Sequence, residues 1–475
     1  MQKDPFIKSL QDGRNVWLDG KKIDITKDKN FTGTLAAISE LFAMFDDPKL
    51  RDKVGYLSPK TMEYVHSAFF VPESYEDLLK RRTAFEIWSQ STDGVMSRLS
   101  DYARSRLTGW YASREDYRAF DKAFPDKIRS YYEEARDRHL FLSLVQRDPQ
   151  INRSDSQLKN IEDLGLLRIT KKTSDGVFLS GAKMIGTASP YSNDIIVYPV
   201  GHLKEEHKPL AHMLIVAAHS PGLHLVCRES YAATPLNKAD APLSASYDEM
   251  DALLLFDNVF VPWERVLLYD NPEAIAKINT DPVSNSLAYH QAIVRLLNKL
   301  EFVTAIGFEI AEAIGADGYL HVQEKLGELI MQVETIRALV IASEREGSLN
   351  PYNTFVPNFT YIQTARNLGP KYYPRALEIL QLIGAGGFIQ LPSSVQDFQG
   401  PLSSLLQKYL VGANVDAEKK TKLFKLAWDL VGSPLGSRHE LYERFYAGDP
   451  IRNIAVQYST YDKQRLQERI QKYLQ

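Results

Sequence analysis

Arg98 and Tyr102 stand four residues apart in GVMSRLSDYARS, residues 94–105. On a helix that spacing puts a guanidinium and a phenol on one face. A guanidinium stabilises negative charge developing on oxygen, and a phenol can donate or accept a hydrogen bond without ionising near pH 7. Spacing alone fits equally well a solvated face with a snorkelling arginine. Three further groups could contribute chemistry. His290 is a candidate base, since imidazole as a group suits proton transfer at neutral pH, although a lone His on an apolar helix is usually structural. RDPQINR, residues 147–153, sets amide and cationic side chains around a Pro turn. FYAGDPIRN, residues 445–453, has a Gly-Asp-Pro turn at which backbone can approach a ligand closely. Asp449 in that turn could equally cap a following helix.

Elements that could position these groups follow from periodicity. The first part, residues 1–148, repeats apolar positions at three and four, as in TGTLAAISELFAMFDD, and reads as helical. RSYYEEARDRHLFLSLVQ is expected to be one helix, stopped at Asp148-Pro149. Residues 149–275 change to short β-branched runs, NDIIVYPV, HMLIVAAH and GLHLVC, with Ser174-Asp175-Gly176 as a hairpin turn. Thr187, in MIGTASPYS, sits at a small-residue turn ending a strand. From 276 to 475 long periodic helices return, closing with the amphipathic YDKQRLQERIQKYLQ. The expected order is therefore a helical domain, a β domain and a second helical domain with an extended tail.

Composition excludes several classes. The 475 residues are 44% hydrophobic and 25% charged, and 57 Lys and Arg against 60 Asp and Glu leave a formal charge of −3. Nothing in that balance favours nucleic acid or an anionic membrane as partner. The single cysteine, Cys227, rules out a disulfide framework, thiolate zinc sites and a cluster held by several cysteines, and suits a reducing compartment. No metal site is expected. With no signal-peptide pattern and no apolar run of spanning length, a cytoplasmic protein is expected. No GxGxxG fingerprint stands at a strand–helix junction; GAGG at 384–387 lies among helical residues.

Taken in order, SLQDGRNVWLDGKKI, RLSDY, RDPQINR, GAKMIGTASPYSNDIIVYP, FDNVFVPWERV, YHQAIVRLLNKLEF and RHELYERFYAGDP resemble the flavin-dependent aromatic hydroxylases typified by the oxygenase component of 4-hydroxyphenylacetate 3-monooxygenase. The likeness covers nearly the whole chain. It implies an acyl-CoA dehydrogenase-like fold: an N-terminal α domain, a middle antiparallel β-barrel or sandwich, and a C-terminal helical bundle. It implies hydroxylation of a small phenol or other aromatic with O2 and reduced FAD, FMN being the alternative. The flavin would come from a separate NAD(P)H:flavin reductase, and the chain would assemble as a homotetramer.

By the same resemblance, Arg98 and Tyr102 face the reactive edge of the flavin and the substrate's phenolic oxygen, and His290 corresponds to a phenol-deprotonating base. Gln150, Ile151, Asn152, Arg153, Thr187 and Tyr446, Ala447, Gly448 and Asp449 would meet the flavin. One departure stands out. Where 4-hydroxyphenylacetate enzymes carry a histidine five residues before the Pro, this chain has Leu144, which cannot hydrogen-bond a phenol and would shape a more apolar substrate pocket. A flavin-binding acyl-CoA dehydrogenase-like oxidoreductase and a non-catalytic homologue are the competing expectations. The related iron–sulfur-dependent dehydratase activity fails on the cysteine count.

Overall fold

The computed structural model describes residues 4–150, 165–201, 203–232 and 238–474. The helix that leads to the site begins where a side chain takes up an orphan amide of its first turn. In α1 (Tyr75–Gln90), Ser74 accepts from Asp77 N. A tight turn then leads to α2 (Ser100–Ala112). The helix expected to run on to Asp148 instead ends at Asp137, His139 adopts a left-handed backbone (φ 52°), and Leu142–Val145 is a strand. Its apolar run is covered on both faces, and such a run cannot be told from a buried helix by periodicity.

Two open sheets make up the β layer. The six-stranded sheet runs Lys21–Ile23, Asn15–Leu18, Leu223–Cys227, Ala252–Pro262, Gly176–Lys183, Arg168–Lys172. The four-stranded sheet runs Val266–Leu268, Met213–Ala217, Asp194–Val197, Leu142–Val145. Side chains of both, among them Val197, Leu214, Val216, Leu225, Leu254 and Val259, share one core, so the layer is sandwich-like. Of the expected antiparallel barrel or sandwich, the sandwich holds: among the described residues there is no closed barrel, and the mainly antiparallel sheets contain two parallel pairings, Asn15–Leu18 with Leu223–Cys227 and Leu142–Val145 with Asp194–Val197. Both parallel partners arrive from before residue 149, and parallel neighbours require such long connections. The Ser174–Asp175 turn does form, with Thr173 N donating to the Gly176 carbonyl.

Helices return with α3 (Pro282–Ala313), whose Asp281 cap accepts from Ser284 N and whose first residue is proline. It is buried along most of its 32 residues and forms the axis on which α1, α2, α4 (Leu320–Arg345), α5 (Phe359–Gly384) and α6 (Ala417–Val431) pack. Two shorter helices, α7 (Pro434–Phe445) and α8 (Pro450–Thr460), bring the C-terminal residues back across α5. No helix among the described residues is long and apolar enough to cross a membrane.

Candidate active site

Between α1 and α2 the chain bends at Gly94, whose φ of 65° favours glycine and whose absent Cβ would lie 2.7 Å from Lys299 Cβ on α3. Leu99 is extended, and α2 begins only at Ser100. Arg98 therefore stands in the turn before α2, which corrects the expectation of a shared helical face. The physical reason is visible in its backbone: the Arg98 N–H donates to Glu249 Oε1 at 2.7 Å instead of to a carbonyl of a preceding turn. The pair is nonetheless adjacent. The Arg98 guanidinium lies 4.2 Å from the centre of the Tyr102 ring and 4.2 Å from that of Tyr446. Its Nε donates to the Tyr442 hydroxyl at 3.0 Å and its Nη2 to the Tyr446 carbonyl at 3.1 Å.

More arginines converge from other helices. Arg295 of α3 covers the Tyr446 ring at 4.5 Å and is clamped by Glu443 at 2.6 and 3.1 Å. Arg366 of α5 stacks 3.4 Å from the Tyr289 ring centre and donates to the Ala447 carbonyl at 3.3 Å. Arg106 bonds Asn285 and reaches the Tyr198 hydroxyl at 3.3 Å. Burial pushes the Tyr102 phenol up, but Arg98, Arg106 and Arg366 outweigh it and hold the phenol below its ordinary value. Tyr446 goes the other way, raised because burial outweighs its two arginines. The result is one phenol poised to release its proton among fixed cations, an arrangement suited to stabilising an oxygen anion.

On the β side, Thr187 is buried and donates from Oγ1 to Asp251 Oδ1 at 2.6 Å. Burial alone would raise the Asp251 carboxyl, yet Arg438, Arg228 and Thr187 bring it down to about 2. In RDPQINR, Asp148 takes Lys183 Nζ at 2.6 Å and Gln150 is exposed, whereas Ile151, Asn152 and Arg153 lie outside the described residues. Leu144 is half-buried on the face of its strand that meets Leu142, Ile196 and Tyr198 and packs toward α2. The Tyr446–Asp449 stretch lies beside the arginines: Ala447 also accepts from Asn453 Nδ2 at 2.8 Å, and Gly448 takes φ 95°. Asp449 caps α8, accepting from Ile451 N at 2.9 Å.

His290, expected as the base, makes none of the contacts of this cluster and is engaged elsewhere. Its Nε2 is bonded to Glu344 Oε1 at 2.8 Å, both side chains are fully buried, and Glu344 also takes Arg82 Nη1 at 2.8 Å. The ring packs edge-on against Phe85 of α1. Helical geometry explains the separation: Asn285, Tyr289, Ala292 and Arg295 share one face of α3, and position 290 points off it.

Tyr442, Tyr289, Arg295, Arg366 and Glu249 escaped sequence reasoning. For Tyr442 a signal existed, since Arg438, Tyr442 and Tyr446 recur every four residues in RHELYERFYAGDP. Glu249 carries none. A cleft of 1080 Å³ lies elsewhere, against Phe6, Phe42, Arg51, His139 and Arg265, and touches none of these residues. A much smaller pocket of 20 Å³ is lined by Arg295, Arg366, Glu443, Tyr446 and Ala447. Chemistry rather than size locates the site.

Known proteins resemble the chain over nearly its whole length. Residues 2–268 match the family model described as 4-hydroxyphenylacetate 3-hydroxylase N terminal, and residues 283–475 match the corresponding C-terminal model. The oxygenase component of 4-hydroxyphenylacetate 3-monooxygenase from Thermus thermophilus is 35% identical over 97% of this chain and 94% of its own. A probable 4-hydroxyphenylacetate 3-monooxygenase from Bacillus subtilis is 32% identical over 99% and 97%. A crystal structure of such an oxygenase component complexed with FAD and 4-hydroxyphenylacetate superposes with a TM-score of 0.93 at 35% identity, covering 99% of this chain and 97% of that one.

Proposed function

Because the chain belongs to the 4-hydroxyphenylacetate 3-hydroxylase family, we propose that it is the oxygenase component of a two-component, FAD-dependent aromatic monooxygenase. The observation that carries this is the Arg98–Tyr102–Tyr446 stack at the junction of α2, α7 and the β layer, within a fold shared with an FAD-bound oxygenase component.

The residues present fit a flavin. The Thr187 hydroxyl donates to Asp251 and keeps lone pairs with which to accept from a flavin N–H. The Gly448 backbone, at φ 95°, takes a conformation that favours glycine, with Arg147 Nη2 and Asn453 Nδ2 in ordinary contact at 3.6 and 3.9 Å from the position a Cβ would take. Gln150, with Ile151, Asn152 and Arg153 that lie outside the described residues, is assigned to the flavin by the family resemblance alone. Tyr446 and Ala447 fill their carbonyls with Arg98 and Arg366 and so position arginines; Asp449 holds the turn by capping α8. Reduced FAD supplies the two electrons with which O2 is split between the ring and water, so that FADH2, O2 and an aromatic C–H become FAD, a new C–OH and H2O.

The chain's own residues manage charge and protons. Arg98 stabilises the oxygen anion that develops beside it. Ionised, Tyr102 takes the phenolic proton and, once protonated, returns it, while the half-buried tyrosine–arginine stack limits the access of water. Leu144 offers no partner to the far side of the phenol, so the preferred substrate is a phenol whose remaining surface is apolar. The electrons come from a separate NAD(P)H:flavin reductase, in keeping with the missing dinucleotide fingerprint. The division proposed is 1–148, 149–275 and 276–475 for the helical, β and helical parts; strands Asn15–Leu18 and Leu142–Val145 of the first part pair within the β layer. Ile451, Tyr458, Tyr473 and Leu474 remain 70% or more exposed along the terminal helices; such surface supports burial between copies in a homotetramer. The near-neutral charge and single cysteine suit the cytoplasm.

The test is to mix purified protein with reduced FAD, O2 and a panel of phenols and to weigh the products. A mass gain of one oxygen with reduced FAD, and no NADH oxidation by the chain alone, is expected; oxidation of NADH by the isolated chain would overturn the two-component reading.

A further inference from the structure

The loop that carries Arg98 is held from outside its own helix. Its amide donates to Glu249 Oε1 at 2.7 Å, and Glu249 is fully buried. Two residues on, Asp251 takes the Thr187 hydroxyl at 2.6 Å. The backbone around them grips the Thr187 turn again: Ala188 N donates to the Met250 carbonyl at 2.9 Å and Gly186 N to the Ala252 carbonyl at 2.8 Å. One side chain from α7 meets both carboxylates. Arg438 donates from Nε and Nη2 to Asp251 at 2.9 and 2.8 Å and reaches Glu249 Oε2 at 3.5 Å. Its guanidinium also lies 4.3 Å from the ring of Tyr442, whose hydroxyl accepts from Arg98 Nε. Both ends of Arg98, amide and guanidinium, are thus held by groups that Arg438 touches. The segment 248–251 is further secured by Arg228, which bonds Asp248 at 2.7 Å and Asp251 at 3.0 Å.

We propose that Glu249 and Arg438 are positioning residues for Arg98: Glu249 holds the Arg98 turn in its non-helical course, and Arg438 ties Glu249 to the Thr187 side through Asp251. Without Glu249 the Arg98 amide is a buried orphan donor, a state that costs more than an exchanged hydrogen bond. Turning that amide outward to water satisfies it and carries the guanidinium off the Tyr446 ring, whereas extending α2 would not, because the first amides of a helix have no intrahelical acceptor. Whether that ring belongs to a flavin site rests on the functional reading above; the anchoring itself does not.

The experiment reads Tyr102 in the ligand-free protein, where charge from Arg98, Arg106 and Arg366 and the neighbouring Tyr446 phenol set its titration. Tyrosine labelled with 13C at Cζ is titrated by NMR, the Tyr102 signal being the one lost in Tyr102→Phe. Glu249→Met fills the buried volume but cannot accept the amide; Glu249→Gln can. Deleting a carboxylate would by charge alone lower a phenol's midpoint. Displacing Arg98 raises it, by roughly one pH unit for a close opposite charge. An upward shift in Glu249→Met with none in Glu249→Gln is expected; an unchanged or lowered midpoint in Glu249→Met overturns the proposal. Glu249→Ala is read in the same way should Glu249→Met not fold.

A second arm measures product per reduced FAD with 4-hydroxyphenylacetate as probe. Glu249→Met should lose on the order of 100-fold, the scale of a misplacement of about 1 Å. Combined with Arg98→Ala it should be no worse than Arg98→Ala alone, because both act through one group. Additive losses overturn the proposal. Arg438→Lys should fail to restore what Arg438→Met loses, since an ammonium cannot span both carboxylates; full rescue removes Arg438 from the proposal. If the Tyr102 signal moves as expected while the parent makes no product, the functional reading fails and the anchoring stands.

Discussion

Two polar residues of α3, five positions apart, meet different fates. Arg295 lies against the Tyr446 ring and faces a site built from α2, α5 and α7, where arginines stack on tyrosines and Arg98 and Tyr102 are only half-buried. His290 is fully buried and spends its Nε2 on Glu344, which Arg82 also neutralises. The difference is one of what remains unused. Around Arg98 positive charge exceeds what the local carboxylates consume, and aromatic faces leave it directed at whatever anion arrives. Around Glu344 the charges satisfy one another, which ties α1 to α3 and α4 and leaves little to offer a substrate.

Breaking the first region should have the largest effect on chemistry. Arg98→Ala should reduce product per reduced FAD about 100- to 1000-fold, the usual cost of one donor aimed at developing charge, with H2O2 released in place of product; rapid mixing with product and peroxide quantified checks this. Breaking the second should act on stability. Glu344→Ala strands His290 and Arg82 and should cost about 3–5 kcal/mol in denaturant unfolding, with product per reduced FAD of the folded protein unchanged.

Acid should separate the regions by mechanism as well. Glu443 and Asp251, which organise the first region, are both lowered to about 2, from 4.5 and 3.8. For Glu443, burial opposes the shift while Arg295 and Lys299 drive it; for Asp251, burial again opposes, and Arg438 leads the lowering. Depressed carboxyls contribute stability that is fully present above their unfolded values and is lost as pH falls through the folded ones. Unfolding free energy should therefore decline from about pH 4.5 toward 2, and Asp251→Asn should flatten part of that slope. The smallest effect is expected at Leu144. Leu144→His restores one hydrogen-bond partner and should raise turnover of 4-hydroxyphenylacetate by roughly 2- to 10-fold, the worth of about one net hydrogen bond.

Much of this was legible in the residues. The order of helical and β parts, the Ser174–Asp175 hairpin and the proximity of Arg98 to Tyr102 follow from periodicity, turn chemistry and spacing. The reasons they sit as they do did not. Arg98 leaves the helix because of Glu249, 151 residues away in sequence, and no local pattern encodes that bond. His290 looked like a base because imidazole suits the task, but its use depends on Glu344, which only the packing of α4 brings near. Leu142–Val145 read as helix because a strand buried on both faces carries no alternation. Local chemistry is written in the chain; partnership across it is a tertiary fact.

The most direct test sets the two regions side by side. Arg98→Ala and His290→Gln are compared for product per reduced FAD, normalised to folded protein, across pH. The predicted result is collapse of coupling in Arg98→Ala and, in His290→Gln, parent-like coupling with an unshifted pH profile. Parent-like coupling in Arg98→Ala, or a collapse with a displaced pH profile in His290→Gln, would contradict the account.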